Sequence, residues 1–219
     1  KLTIKKTKMT HINNALNKEG QELLTPNTVL QDLLDGNTRF VENSPNTVDT
    51  TALVKETVSG QYPKAVVLSC IDSRVPVELV FDQTIGDIFV ARVAGNFENT
   101  DILGSLEYSC KVAGSKLVFI LGHESCGAVK AACDHVELGN ITALLDNIQP
   151  AVTLSESQVS GTHNSSNTEF VNQTIKNNVQ LTIERIREKS PILKEMEDNG
   201  EIKIVGGVYH LANGKVSIY

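Results

Sequence analysis

An α/β fold is predicted, with a mainly parallel central sheet flanked by helices, an N-terminal helical arm and a C-terminal hairpin strand. Three observations predict it. Apolar, β-rich runs recur along the chain: AVVLS at 65–69, DIFVARV at 87–93, KLVFILG at 116–122 and IKIVGGVYHL at 202–211. Helix-patterned stretches separate them, and strands alternating with helices imply βαβ units whose parallel sheet is buried on both faces. The last segment, LANGKVSIY, carries an Asn-Gly pair that favours a tight turn, so a hairpin strand should close the chain.

Taken in order, residues 1–24 are polar, first basic and then mixed, without a clean period, and read as an arm or irregular helix. In TPNTVLQDLLDGNTRFVEN, Thr25 is an N-cap and Pro26 the first helical residue, followed by Leu30, Leu33, Leu34, Asn37, Phe40 and Val41 at helical spacing. This amphipathic helix is weakened at Gly36, and its apolar face calls for a partner. Residues 44–63 read as a polar linker to the strand Ala65–Ser69. PVELVF, ILGSLEYSCKVA and CGAVKAAC read as the intervening helices, and a long helical and polar region runs to Ser190, interrupted by the polar loop THNSSNTEF. The 219 residues, 40% of them hydrophobic, suit one domain over 1–219 with residues 1–45 as its arm.

Charge and composition exclude several classes of function. A net charge of -6, with no basic cluster after the first eight residues, argues against nucleic acid, whose phosphates need Lys and Arg. No apolar run approaches the roughly 20 residues of a membrane span. Four cysteines, Cys70, Cys110, Cys126 and Cys133, are too few for a disulfide framework in a chain this long, so metal or catalytic use is expected of some. Cytoplasmic residence is the expectation, or periplasmic residence had a signal peptide been removed before Lys1.

Two segments carry chemistry. CIDSRV, at the end of the first strand, places Cys70, Asp72 and Arg74 at alternate positions, on one side of an extended chain. LGHESCGAVKAAC follows another strand directly and places His123 and Cys126 three residues apart. Ligand sites of open α/β sheets form beyond the carboxyl ends of the strands, so Cys70, His123 and Cys126 should converge there. Two thiolates and an imidazole suit Zn²⁺, and three protein ligands leave the open position of a catalytic site. Asp72 can reach that position as a fourth ligand in a closed state, or pair with Arg74. Cys110 and Cys133 lie outside both segments and read as inert core thiols.

The stretch CIDSRVPVELVFDQTIGDIFVARVAGN together with GHESCGAVKA resembles the β-class carbonic anhydrases, whose hallmarks are a C-x-D-x-R segment and a later H-x-x-C segment. The likeness runs through residues 61–132 and extends to GNTRF and IKIVGGVYHLANGKV. It implies reversible hydration of CO2 to bicarbonate and a proton by attack of zinc-bound hydroxide. Cys70, His123 and Cys126 would hold the zinc, and an Asp72–Arg74 pair would control the fourth site. It also implies a homodimer or tetramer with active sites at the subunit interface. There Gln61 would point its amide at a substrate oxygen, Phe89 would form an apolar wall and Gly127 would offer backbone close to substrate. Family members regulated by bicarbonate carry a Trp three residues before the first zinc Cys; here that residue is Val67, so the regulatory pocket is not expected and Arg92 reads as a structural ion-pair partner. Two alternatives compete: a CS2 or COS hydrolase of the same fold, and a structural-zinc interaction module that would need neither Asp72 nor Arg74.

Overall fold

The computed structural model describes residues 11–12 and 14–219, so residues 1–10 and 13 of the polar arm expected over 1–24 lie outside the described residues. In chain order the elements begin with β1 (His11–Ile12), α1 (Lys18–Glu22), α2 (Pro26–Val41), β2 (Thr47–Val48) and α3 (Thr50–Glu56). They continue with β3 (Ala65–Ser69), α4 (Val77–Val80), β4 (Ile88–Arg92), α5 (Thr100–Glu107), β5 (Leu117–His123) and α6 (Gly127–Cys133). The remainder is α7 (Gly139–Asp146), α8 (Gln149–Glu156), α9 (Thr168–Lys189), α10 (Pro191–Asp198), β6 (Lys203–Tyr209) and β7 (Val216–Ile218).

The main sheet has the order β4-β3-β5-β6-β7, parallel except for the antiparallel β6–β7 pair. Every residue of β3 and β5 is buried, which their uniform apolarity requires. Side chains alternate across the sheet. Val66, Leu68, Val118 and Ile120 join residues of α5, α6 and α9 in one core cluster, while Ala65, Val67, Leu117, Phe119 and Leu121 join Val29, Leu33 and Phe81 in the other. Because β3 and β5 are parallel neighbours in register, Ser69 opposite Leu121, their carboxyl ends open side by side.

Thr25 caps α2 through a hydrogen bond from the Thr28 amide, with Pro26 in the first turn, as its sequence predicts. The buried stripe of α2, however, covers the molecule's own sheet: Val29 and Leu33 are 0% exposed. Gly36, expected as a weak point, is a contact point instead. A Cβ there would lie 1.8 Å from the Phe81 carbonyl oxygen, so the absent side chain lets α2 meet the end of α4. Gly36→Ala should therefore destabilise the fold by about 1–3 kcal/mol, the cost of overpacking, read as a lower midpoint in urea unfolding.

Two other expectations are corrected. The 44–63 linker contains α3, capped by Asp49 and anchored by the fully buried Leu53, whose polar surroundings hid its periodicity. The last hairpin does not turn on two residues. Tyr209 pairs with Val216, and the loop 210–215 is closed by the His210 amide donating to the Lys215 carbonyl at 2.8 Å.

Candidate metal centre

Cys70 follows β3 directly, His123 ends β5, and Cys126 stands one residue before α6. A tight turn with Ser125 at φ 52° swings Cys126 back toward Cys70. The donor atoms of Cys70, His123 and Cys126 all lie within 4.8 Å of one another, and these residues form the one group of three or more His, Cys, Asp or Glu donors so arranged among the described residues. All three are buried, at 4%, 0% and 1% exposure.

Three observations fit a metal ion. The two sulfurs are 4.0 Å apart. That is far beyond a disulfide and close to the roughly 3.8 Å expected of two thiolates sharing a tetrahedral ion at about 2.3 Å each. His123 Nδ1 sits 2.8 Å from the Glu124 carbonyl, which can only accept, so the proton resides on Nδ1 and Nε2 offers its lone pair. That Nε2 is buried with no hydrogen-bond partner among the described residues, a cost that a ligating role would offset. The neighbouring Cys126 thiol, helped by the Gly95 amide, holds the Cys70 thiol well below its ordinary value against the opposing effect of burial. Cys126 is pushed the other way by the same contact and by burial.

Asp72 and Arg74 meet at the open side, though not by strand alternation. The chain turns after Cys70, and the Arg74 amide donates to Asp72 Oδ1 at 2.9 Å, an Asx-type turn. The guanidinium closes a fork on the same carboxylate, Nε to Oδ1 at 2.9 Å and Nη2 to Oδ2 at 2.7 Å. That pairing, outweighing partial burial, lowers the Asp72 pKa to about 2. Asp72 Oδ2 remains 3.9 Å from His123 Nε2, and Asp72 is not in the donor group.

Arg92 corrects its expected role as an ion-pair partner. It donates to three backbone carbonyls, Nε to Cys70 at 2.9 Å and Nη2 to Asp72 at 2.7 Å and Val75 at 3.0 Å, bracing the loop that carries the site. Its place at the end of β4, opposite Ser69, was the available signal. A second feature had none in the sequence: Glu124 accepts from His210 Nδ1 at 2.8 Å and from the Leu211 amide at 3.1 Å, tying the β6–β7 loop to the turn after His123.

Of the softer candidates, Gly127 adjoins the cluster, whereas Gln61 and Phe89 are placed elsewhere. Gln61 is exposed before β3, at the opposite end of that strand from Cys70. Phe89, on the edge strand β4, lies against Tyr108 with ring centroids 6.2 Å apart and lines a groove of about 660 Å³. Gly127 heads α6, and a Cβ there would meet nothing within 4 Å, so its backbone is approachable. Cys110 and Cys133 are buried as expected, and burial pushes the Cys110 thiol up to about 12.

Comparison with known proteins bears on this geometry. A family model described as "Carbonic anhydrase" matches residues 65–216. The chain is 34% identical over 195 residues to a carbonic anhydrase of Mycolicibacterium smegmatis, covering 85% of this chain and 89% of the relative. Its fold is similar to that of a β-carbonic anhydrase from Coccomyxa solved with acetazolamide, with a TM-score of 0.69 at 22% identity over 86% of this chain and 85% of the other. It is also similar to a structure described among two tetrameric β-carbonic anhydrases of Sordaria macrospora, with a TM-score of 0.66 at 20% identity over 88% and 91%. Among the described residues no helix is long and apolar enough to cross a membrane.

Proposed function

The chain belongs to the β-class carbonic anhydrase family, and from that premise we propose that it interconverts CO2 and bicarbonate with a zinc ion held by Cys70, His123 and Cys126. The observation that carries the zinc reading is the buried triangle of two sulfurs and an unpartnered imidazole nitrogen at the ends of adjacent parallel strands. Zinc supplies a Lewis acid that makes water nucleophilic at neutral pH. Everything else falls to the chain's own groups. His123 presents Nε2 because the Glu124 carbonyl retains the proton on Nδ1. Arg74 holds the Asp72 carboxylate back from the donor group, and Asp72 then accepts a hydrogen bond from the attacking water and orients it.

Metal analysis joined to a CO2-hydration assay, with and without a chelator, tests the reading. One zinc per chain and chelator-sensitive hydration are expected; a protein that hydrates CO2 at full rate without metal overturns it. The family relationship favours CO2 over CS2 or COS, and assaying each substrate separates them. A purely structural zinc would predict four closed ligands, whereas three donors gather here.

Gln61 and Phe89 enter the reading as groups supplied between subunits of a homodimer, or of a tetramer built from dimers. Val58, three residues before Gln61, is 83% exposed, and Ile71, which follows Cys70 directly, is 62% exposed. Apolar side chains left bare at both places suit a face that buries one against the other across a twofold axis. Gln61→Ala should keep its zinc and lose on the order of tenfold in turnover, the cost of a lost positioning contact. Sedimentation showing a fully active monomer would contradict the shared site.

A further inference from the structure

We infer that Asn178 is a positioning residue for the metal centre, acting through Gly95 on the Cys70 sulfur; this rests on the zinc site proposed above. Asn178 lies in the middle of α9, on the face that also buries Thr174, Ile175, Val179 and Thr182. It is 1% exposed among aliphatic neighbours, where an amide costs stability unless its polar atoms are used. Nδ2 donates to the Gly95 carbonyl at 2.7 Å, across 83 residues of sequence. Oδ1 is buried with no hydrogen-bond partner among the described residues, so the contact to Gly95 is the hydrogen bond through which this side chain is held.

Gly95 is itself tightly specified. It follows β4 in a turn with φ +84°, a conformation open to glycine. A Cβ there would stand 2.5 Å from Ile148 Cδ1 and 3.4 Å from the Ala128 Cβ, so α6 and the residue before α8 wall it in. From that position its amide donates to Cys70 Sγ at 3.4 Å, within the range of an N–H to sulfur bond. Asn178 grips the carbonyl of the residue whose amide points at the sulfur. The two contacts on either side of one α-carbon fix its rotation, and with it the direction of the amide. An N–H aimed at a thiolate stabilises the charged sulfur and tunes the ion it binds, which is how outer residues govern a metal site.

Asn178→Leu keeps the branched side-chain skeleton and removes the donor; Asn178→Ala is read in its place where near-UV circular dichroism finds the leucine variant unfolded. Ile186→Val, a fully buried trim about two turns further along the same helix, serves as the packing control. Zinc affinity is measured by chelator competition, and thiolate character by the sulfur-to-cobalt charge-transfer band after substitution with Co²⁺. Loss of the Asn178 amide should weaken zinc binding by roughly tenfold or more, the usual scale for outer-residue contacts, and shift the band, while Ile186→Val moves neither. An unchanged affinity and band in the Asn178 variants overturns the inference. If wild type itself binds no zinc or cobalt, the zinc-site reading fails rather than the role of Asn178 within it.

Discussion

Replacing Cys126 by serine is expected to yield a folded chain that holds no zinc and hydrates CO2 no faster than buffer. The two halves of that result have separate causes. Cys126 is the residue before α6 and makes no side-chain capping bond, whereas serine is among the favoured residues at such a position. Its hydroxyl can accept from the amides of the first turn, which offsets part of what the lost sulfur packing costs. As a ligand the exchange runs the other way. A serine hydroxyl keeps its proton near neutral pH, so the site loses one of its two anionic donors and the softer character that suits zinc. With Cys70 and His123 alone, affinity should fall by more than the roughly 10- to 100-fold that the loss of outer-residue contacts costs. Metal content by mass spectrometry and hydration by stopped flow decide it. A Cys126→Ser protein that retains full zinc would remove Cys126 from the ligand set and with it the central geometric argument.

What could be read from the sequence, and what could not, divides along contact range. Strands β3 to β6 and the caps of α2 are local: uniform apolarity, Thr25 and Pro26 are visible in a short window, and the structure agrees with them. The gathering of Cys70, His123 and Cys126 was legible because one topological rule, ligands beyond the carboxyl ends of parallel strands, carries two short segments to one place. Arg92 was visible but misassigned, since a guanidinium serves three carbonyls as readily as one carboxylate and sequence does not distinguish them. The alternating spacing of Cys70, Asp72 and Arg74 suggested an extended chain; the same residues meet through a turn, because the Asp72 carboxylate accepts the Arg74 amide. Asn178 showed no sign at all. Its partner is 83 residues away, and an Asn within an apolar helix face looks the same whether or not it serves a site.

Arg74→Ala should keep its zinc and lose most of its activity, because the carboxylate that Arg74 restrains becomes a competing ligand. In the structure Asp72 makes three bonds to Arg74, two from the guanidinium and one from the backbone amide, and stops 3.9 Å short of His123 Nε2. Alanine removes the two guanidinium bonds and leaves the amide, so Asp72 stays near but is freed to rotate. Each Asp72 position places one anion beside two thiolates, so the balance between them is close, and a charge-assisted fork of this kind shifts it by about tenfold or more. The sign of the pH effect follows from the pairing. Asp72 is depressed to about 2, chiefly by the Arg74 fork, so the pair stabilises the folded protein fully above the ordinary carboxylate range and fades as pH falls toward about 2. Near neutral pH the wild-type pair is therefore constant, and Asp72 remains an anion able to close. In Arg74→Ala the largest cause of the depression is gone, and a carbon-13 titration should find Asp72 moved back up toward that range when the metal is absent. Asp72→Asn in the same background cannot supply the anionic ligand and should recover part of the lost hydration rate. Zinc-replete Arg74→Ala with wild-type hydration at every pH would show that Arg74 restrains nothing.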